Sequence, residues 1–288
     1  MPETTAAGRA ALDLRQPDHR DAIVFDGVSL AFDAHVVLRN VSFTVSKGAM
    51  RIMFGVSGAG KSVILKLALG LLRPDEGRIT INGLRVDQMP ERELLEMRAD
   101  IGMVFQENAL FDSLTVAENV GFRLQEEHHL SEEQIDARIA EVLGFVGLSE
   151  FADRMPAALS GGQRRRVGIA RAMASKPHLL LFDDPITGLD PLIATTIDDE
   201  IVKLRDLEDV TAMVVTHQIR DAFYIAEHRA VRANGAVEVE KVDASEVEGV
   251  EFMVLHDGAI TFQGTAGELL ASRDTFLQQY LYKTLPPW

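Results

Sequence analysis

The stretch IMFGVSGAGKSV, Ile52 to Val63, decides how the rest of the chain is read. Ile52, Met53 and Phe54 form an apolar run of buried-strand character, and Val63 to Leu72 reads as a helix. Between them Gly55 to Ser62 fits the pattern G-x-x-x-x-G-K-S. In that spacing glycine-rich backbone N–H groups wrap phosphate oxygens, Lys61 reaches the terminal phosphates and the Ser62 hydroxyl ligates Mg²⁺. The helix that follows turns its positive end toward the anion. The alternative is a glycine-rich strand-to-helix turn whose lysine is merely solvated.

Other strand ends point to the same place. His178-Leu-Leu-Leu-Phe-Asp183-Asp184 is an apolar strand that ends in two carboxylates, where a second Mg²⁺ contact and a water-polarising base would emerge. Gln106 follows the apolar strand Ile101 to Phe105, and His217 follows Thr211 to Thr216. In a parallel α/β sheet such ends converge on one crevice. A second phosphate motif, Leu159-Ser-Gly-Gly-Gln163, places Ser160 as the cap of a helix beginning near Gly162, with a hydroxyl and backbone N–H groups facing an anion. No phosphate of the same subunit needs them.

From Ile23 to Leu270 the order of these motifs resembles ATP-binding cassette (ABC) ATPases. The resemblance implies an α/β nucleotide-binding domain with a mainly parallel RecA-like core sheet, an antiparallel β edge layer and a helical signature subdomain. It also implies ATP and Mg²⁺ as cofactors. Gly55, Val56, Ser57, Gly58, Ala59, Gly60, Lys61 and Ser62 then correspond to Walker A, with Val63 beside them against the nucleotide, and Gln106 to the Q-loop. Leu159 to Gln163 corresponds to the signature, with Ser160, Gly161, Gly162 and Gln163 on the nucleotide. Leu179 to Asp183 corresponds to Walker B, Gly188 to Asp190 to the D-loop and His217 to the switch histidine. By the same resemblance Ser62, Gln106 and Asp183 hold the metal, and Asp184, His217, Gln106 and Lys61 carry catalysis. The family's functional unit is a head-to-tail dimer, which implies a homodimer in which Ser160 and Gly162 of one copy close over the phosphate held by Lys61 of the other. Most such proteins carry glutamate where Asp184 stands. A carboxylate one methylene shorter, misplaced on the order of 1 Å, can slow chemistry about 10²-fold. The expectation is a working, sluggish hydrolase, with a regulatory nucleotide-binding subunit as the alternative.

Two readings of Phe32 stand. An aromatic residue near its position stacks on adenine in many family members, yet Val28, Leu30 and Phe32 also alternate as a buried strand face would. Leu110, Phe111 and Leu114 after Gln106 are read as a docking groove for an integral-membrane permease, or as packing inside the helical subdomain. The wording ALFDSLTVAENV in that region resembles Mla-type (MCE-associated) lipid-transport ATPases. That likeness implies transport of phospholipids or similar molecules, with an MCE-type lipid-binding subunit and a small regulatory subunit as further partners. The rivals are a small-solute importer, such as one for amino acids, and a soluble ABC mechanoenzyme.

Composition narrows the classes. The chain has 288 residues, no cysteine and a formal charge of −15, which excludes disulfides and thiol chemistry and argues against nucleic-acid contact. Arg164, Arg165 and Arg166 are read as a solvated helix face with some help near the phosphates. The first twenty residues lack a signal-peptide core and read as a tail, and no apolar run reaches the roughly 20 residues that cross a bilayer. The expected place is the cytoplasm, peripheral on the inner membrane. One ABC domain is expected over 21–270, with its helical part at about 107–165, and a C-terminal extension over 271–288. Within that domain Ser131 and Gln134 fit a capping box ahead of the stripe Ile135, Ile139, Val142, Leu143 and Val146. The acidic stretch 236–251 reads as a half-solvated hairpin, with metal binding and docking of a regulatory partner as alternatives.

Overall fold

The computed structural model describes residues 20–126, 130–208, 210–233 and 236–284. Nearly all of the expected N-terminal tail lies outside them. The long strands β1 (Asp21–Phe32) and β2 (His35–Ser46) join β4 (Glu76–Ile81) and β5 (Leu84–Arg85) in an antiparallel sheet of order β2-β1-β4-β5. Asn82 and Gly83 both take positive φ, 48° and 82°, as a tight hairpin turn requires.

Beside it lies a six-stranded sheet of order β12-β11-β3-β8-β7-β6. Its strands are β3 (Met50–Phe54), β6 (Ile101–Val104), β7 (Leu179–Asp183), β8 (Thr211–Thr216), β11 (Val250–His256) and β12 (Ala259–Gly264). All neighbours are parallel except the edge pair β11 and β12. All but the edge strand β12 are buried nearly throughout, because both faces of the sheet are covered there. The two-residue period divides them between two cores. Ile52, Phe54, Leu180, Phe182, Val214, Phe252 and Val254 face one core, and Met53, Leu179, Leu181, Met213, Val215, Met253 and Leu255 face the other. Each large side chain taken fully out of water stabilises the fold by about 1.5–3 kcal/mol.

The second core is closed by the antiparallel sheet with α1 (Lys61–Ala68) and α2 (Glu91–Arg98). The first is closed by α3 (Val116–Glu126), α4 (Glu132–Phe145), α5 (Gly161–Ala174), α6 (Pro191–Leu207), α7 (Ile219–Ala226), α8 (Ala266–Leu270) and α9 (Thr275–Thr284). Ser131 and Gln134 make the reciprocal cap that starts α4, and Ile135, Ile139, Val142, Leu143 and Val146 are all buried. The strand β9 (His228–Ala233) pairs with β10 (Ala236–Lys241), so the acidic segment begins in a hairpin lying against α6.

α1 differs from its sequence expectation at both ends. It begins at Lys61 and ends at Ala68, because Gly70 turns left-handed (φ 64°) and Leu71 N–H reverts to the Lys66 carbonyl. A side chain at Gly70 would meet Leu94 Cδ2 at 2.5 Å, so α2 packs where the helix would have continued.

Candidate functional site

Phe54 ends β3, and the chain enters the glycine loop through a gap with no room for a side chain. A Cβ on Gly55 would sit 2.2 Å from the Leu255 carbonyl oxygen of β11. Gly58 (φ 83°) and Gly60 (φ 99°) take left-handed backbone, which turns successive N–H groups inward. Gly60 starts α1 with no side chain capping it and no acid in the first turn. The first N–H groups of a helix have no partner within it, so this one presents bare donors to an anion. Lys61 is buried, and its Nζ donates to the carbonyls of Gly55 (3.0 Å) and Val56 (3.1 Å), which leaves one of its three protons for a ligand.

Ser62 Oγ donates to Asp183 Oδ1 at 2.7 Å. A hydroxyl and a carboxylate oxygen joined this way, at the ends of α1 and β7, are the hard oxygen donors that Mg²⁺ prefers. Burial pushes the Asp183 carboxyl up, partly offset by the Ser62 bond. Burial likewise pulls the Lys61 ammonium down, opposed by the charges of Asp184 and Asp183. With its glycine loop, lysine and paired oxygen donors, the site fits a Mg-nucleotide.

Asp184 follows in left-handed backbone (φ 46°), with its N–H bonded to the Val215 carbonyl of β8. Its Oδ1 accepts from the His217 backbone N–H (3.0 Å) and lies 2.7 Å from His217 Nδ1. An ionised Asp184 requires the proton on Nδ1, so Oδ2 and His217 Nε2 are the atoms not committed to this pair. Since β3, β8 and β7 are direct neighbours, the glycine loop, His217, Asp183 and Asp184 leave three adjacent strand ends.

The other motifs are held from α5. Ser160 and Gln163 form a reciprocal cap, Gln163 N–H to Ser160 Oγ (3.2 Å) and Ser160 N–H to Gln163 Oε1 (2.8 Å), and α5 begins at Gly161. The Ser160 hydroxyl proton is still available to be donated outward. Gly162 packs so closely that a Cβ would meet Ile193 Cγ2 at 2.2 Å. α5 packs on α3, α4, α6 and β6, whereas α1 packs on β4, β7 and β8, so the two anion-ready helix starts lie in separate neighbourhoods. Asp190 caps α6, its Oδ1 accepting from Leu192 and Ile193 N–H. Ala59 and Val63 sit within the loop and first turn of α1, and Ser57 is exposed with Val56 at the loop surface.

The arginine run is not the solvated face that the sequence suggests. Arg165 is 3% exposed; its Nη1 donates to the carbonyls of Phe105 (2.8 Å) and Gln106, and its Nη2 to that of Thr187 (3.3 Å). Arg164 donates to the Leu159 carbonyl, Arg166 to that of Val146. These guanidiniums bond main-chain carbonyls at loop turns, and that of Phe105 also accepts the Asn108 N–H (3.0 Å). Arg171 adds bonds to Asn108 and Ala109, both left-handed, so α5 fixes the backbone that carries the exposed Gln106.

Phe32 is 46% exposed at the tip of the β1–β2 hairpin, which removes the core-packing reading. The same hairpin reaches the loop, for a Cβ on Gly60 would meet Val37 and Leu38 at 3.1 Å. The segment after Gln106 divides between its two readings. Leu110 packs on the core, Leu114 is half-buried, and Phe111 is exposed against Phe122 (centroids 4.6 Å apart). Buried Asn119 holds this loop through bonds to Phe111, Leu114 and Thr115, a clamp that nothing in the sequence pattern marks.

A family model described as ABC transporter matches residues 38–187. The intermembrane phospholipid transport system ATP-binding protein MlaF of Haemophilus influenzae is 34% identical over 246 residues, 85% of this chain and 84% of that protein. The methionine import ATP-binding protein MetN of Carboxydothermus hydrogenoformans is 41% identical over 203 residues, 70% of this chain and 60% of that protein. The chain therefore spans less than two thirds of that relative's length. Among solved structures, a dimeric ATP-binding cassette in a post-hydrolysis state bound to ADP and Pi matches with a TM-score of 0.70 at 29% identity. The match covers 84% of this chain and 98% of that one.

Proposed function

The chain belongs to the ABC transporter family, and on that premise we propose that it hydrolyses Mg-ATP at a site shared between two copies to drive transport through a separate membrane permease. The observation that carries this reading is the meeting, at three adjacent strand ends, of the glycine loop with Lys61, the Ser62–Asp183 pair and the Asp184–His217 pair.

In this reading the loop N–H groups and Lys61 hold the β- and γ-phosphates, and Ser160 with Gly162 of the second copy covers the γ-phosphate. Ser62, Asp183 and Gln106 hold Mg²⁺, which when bound neutralises charge on the phosphate oxygens. Asp184 Oδ2 takes a proton from the attacking water, whose oxygen bonds to the γ-phosphorus as the bond to the β-bridging oxygen breaks and ADP leaves. With Nδ1 turned to Asp184, His217 Nε2 is the ring nitrogen left to meet a phosphate oxygen. Phe32 supplies the surface for the adenine ring. Asp190 acts by setting the start of α6.

The permease docks on the Gln106–Leu114 loop, where Phe111 and Phe122 form an exposed aromatic pair on a backbone clamped by Asn119. Among the described residues no helix is long and apolar enough to cross a membrane. The chain works as a homodimer on the cytoplasmic face of the inner membrane. Phospholipid or a similar hydrophobic molecule is the cargo, with an MCE-type lipid-binding subunit and a small regulatory subunit as further partners. The match to the phospholipid-transport relative over most of both chains supports this. Methionine or another small solute is the second reading, favoured by the 41% identity to the methionine-import relative.

Single-turnover hydrolysis tests the engine. Lys61→Ala should be inactive, and Asp184→Asn should slow cleavage by about 10²–10⁴-fold while ATP still binds. Asp184→Asn at native speed would move the water-orienting role to another group. Co-purification of the permease from membranes, with lipid or with methionine, separates the two cargo readings.

A further inference from the structure

The C-terminal helix α9 ends against the back of this site. Leu277 and Leu281 bury one face of α9 in the core that also holds Phe54 and Phe252. Its aromatic side chains continue a ladder of rings. Phe276 stacks on His256 (centroids 3.6 Å apart) and lies 5.8 Å from Tyr280. Tyr280 stacks over Phe54 at 6.0 Å with the rings 10° from parallel. Phe54 meets the edge of Phe252 at 5.7 Å, and Phe252 meets Phe223 of α7 at 5.2 Å.

The two ends of Tyr280 touch the two halves of the site. Its ring covers Phe54, the residue before Gly55, and its hydroxyl lies 3.5 Å from the His217 carbonyl oxygen. That separation is at the outer limit of a hydrogen bond, so packing of the ring is the stronger contact. Gly55 cannot yield sideways because Leu255 closes the gap behind it. A shift of Phe54 is therefore passed along the loop toward Lys61, and a shift of the 217 backbone is passed to the Asp184 pair.

We propose that Tyr280 is a positioning residue for this site: it fixes the spacing between the phosphate-holding loop and the Asp184–His217 pair, so that turnover depends on α9 being docked. This rests on the hydrolysis reading above. The burial that holds the Tyr280 hydroxyl above its usual range, with a smaller push from the Asp184 charge, agrees with a closed position beside the site.

The test compares Tyr280→Phe, Tyr280→Leu and Tyr280→Ala in the full chain, measuring kcat and KM for ATP well below unfolding. Leu143→Ala, a core truncation in α4, which packs chiefly on α3 and α5, serves as the stability control. Since a misplacement of about 1 Å can slow chemistry by up to about 10²-fold, Tyr280→Leu and Tyr280→Ala should lose about 10-fold in kcat with KM within about 2-fold. Tyr280→Phe, which keeps the ring, should stay within about 3-fold of native, and Leu143→Ala should keep native kcat. If Tyr280→Ala does not fold, Tyr280→Leu decides. Native kcat in Tyr280→Leu, or a loss matched by the Leu143→Ala control, overturns the proposal while an inactive Lys61→Ala leaves the hydrolysis reading intact. A Lys61→Ala chain as fast as native overturns both.

Discussion

Replacing Arg165 by methionine keeps the length and apolar stem of the side chain and removes its fork. Two of the three bonds to main-chain carbonyls are short, those to Phe105 and Gln106, and the third, to Thr187, is long at 3.3 Å. Hydrogen bonds to a charged group contribute about 1.5–3 kcal/mol each, so the two short ones together hold about 3–6 kcal/mol. Part of this is offset, because burial already disfavours the guanidinium, whose pKa it lowers. A net loss of about 2–4 kcal/mol is expected, a large share of the roughly 5–15 kcal/mol by which proteins are stable. For a chain of this size that corresponds to about 4–16 °C in Tm. Scanning fluorimetry reads the shift, and ATP turnover measured well below the new Tm reads the loosened Gln106 and Thr187 loops. Arg165→Lys should recover less than half of the loss, since a single ammonium lacks the two nitrogens from which the fork reaches the three carbonyls. A Tm within 1–2 °C of native, roughly the scatter of such shifts for under 1 kcal/mol, would show that the carbonyls are satisfied without Arg165 and refute the reasoning.

Gly55→Ala drives a methyl to 2.2 Å from a strand carbonyl that cannot rotate away; a loss of about 1–3 kcal/mol and weaker ATP binding are expected, and unchanged values of both would disprove the clash. Asp221, buried in the first turn of α7, has its carboxyl pushed up to about 7 chiefly by burial, against the pull of Arg220 and His217. Its unfolded form titrates near 4, so the folded state binds the extra proton between about pH 4 and 7 and loses stability as pH rises through that window. Asp221→Asn should therefore be more stable than native by about 4 kcal/mol at pH 8, with the gap closing toward pH 4. Chemical denaturation across that range checks it, and a gap independent of pH counts against the assignment.

Much of this molecule was legible before any coordinates. The loop from Gly55 to Ser62, the strand ending in Asp183-Asp184, the capping box at Ser131 and the cap at Ser160 are local, because each is set by spacing along a few residues of chain. The apolar runs at Ile52 to Phe54, Leu179 to Phe182 and Thr211 to Thr216 also read as buried strands of a parallel sheet, and they are.

What the chain could not disclose by itself is where its polar side chains find partners across long separations. Arg165 in a basic run reads as solvent-exposed until the turns at Phe105, Gln106 and Thr187 bring their carbonyls around it. Asp184 reads as a carboxylate of short reach, yet its left-handed backbone sets Oδ1 on both the N–H and the ring of His217. Tyr280 lies in a C-terminal stretch with no motif, and only the closing of α9 onto β3 sets it between Phe54 and His217. Periodicity reports which residues leave water. Partner choice depends on the directions of hydrogen bonds and ring contacts, and those directions exist only after the sheet and helices have packed.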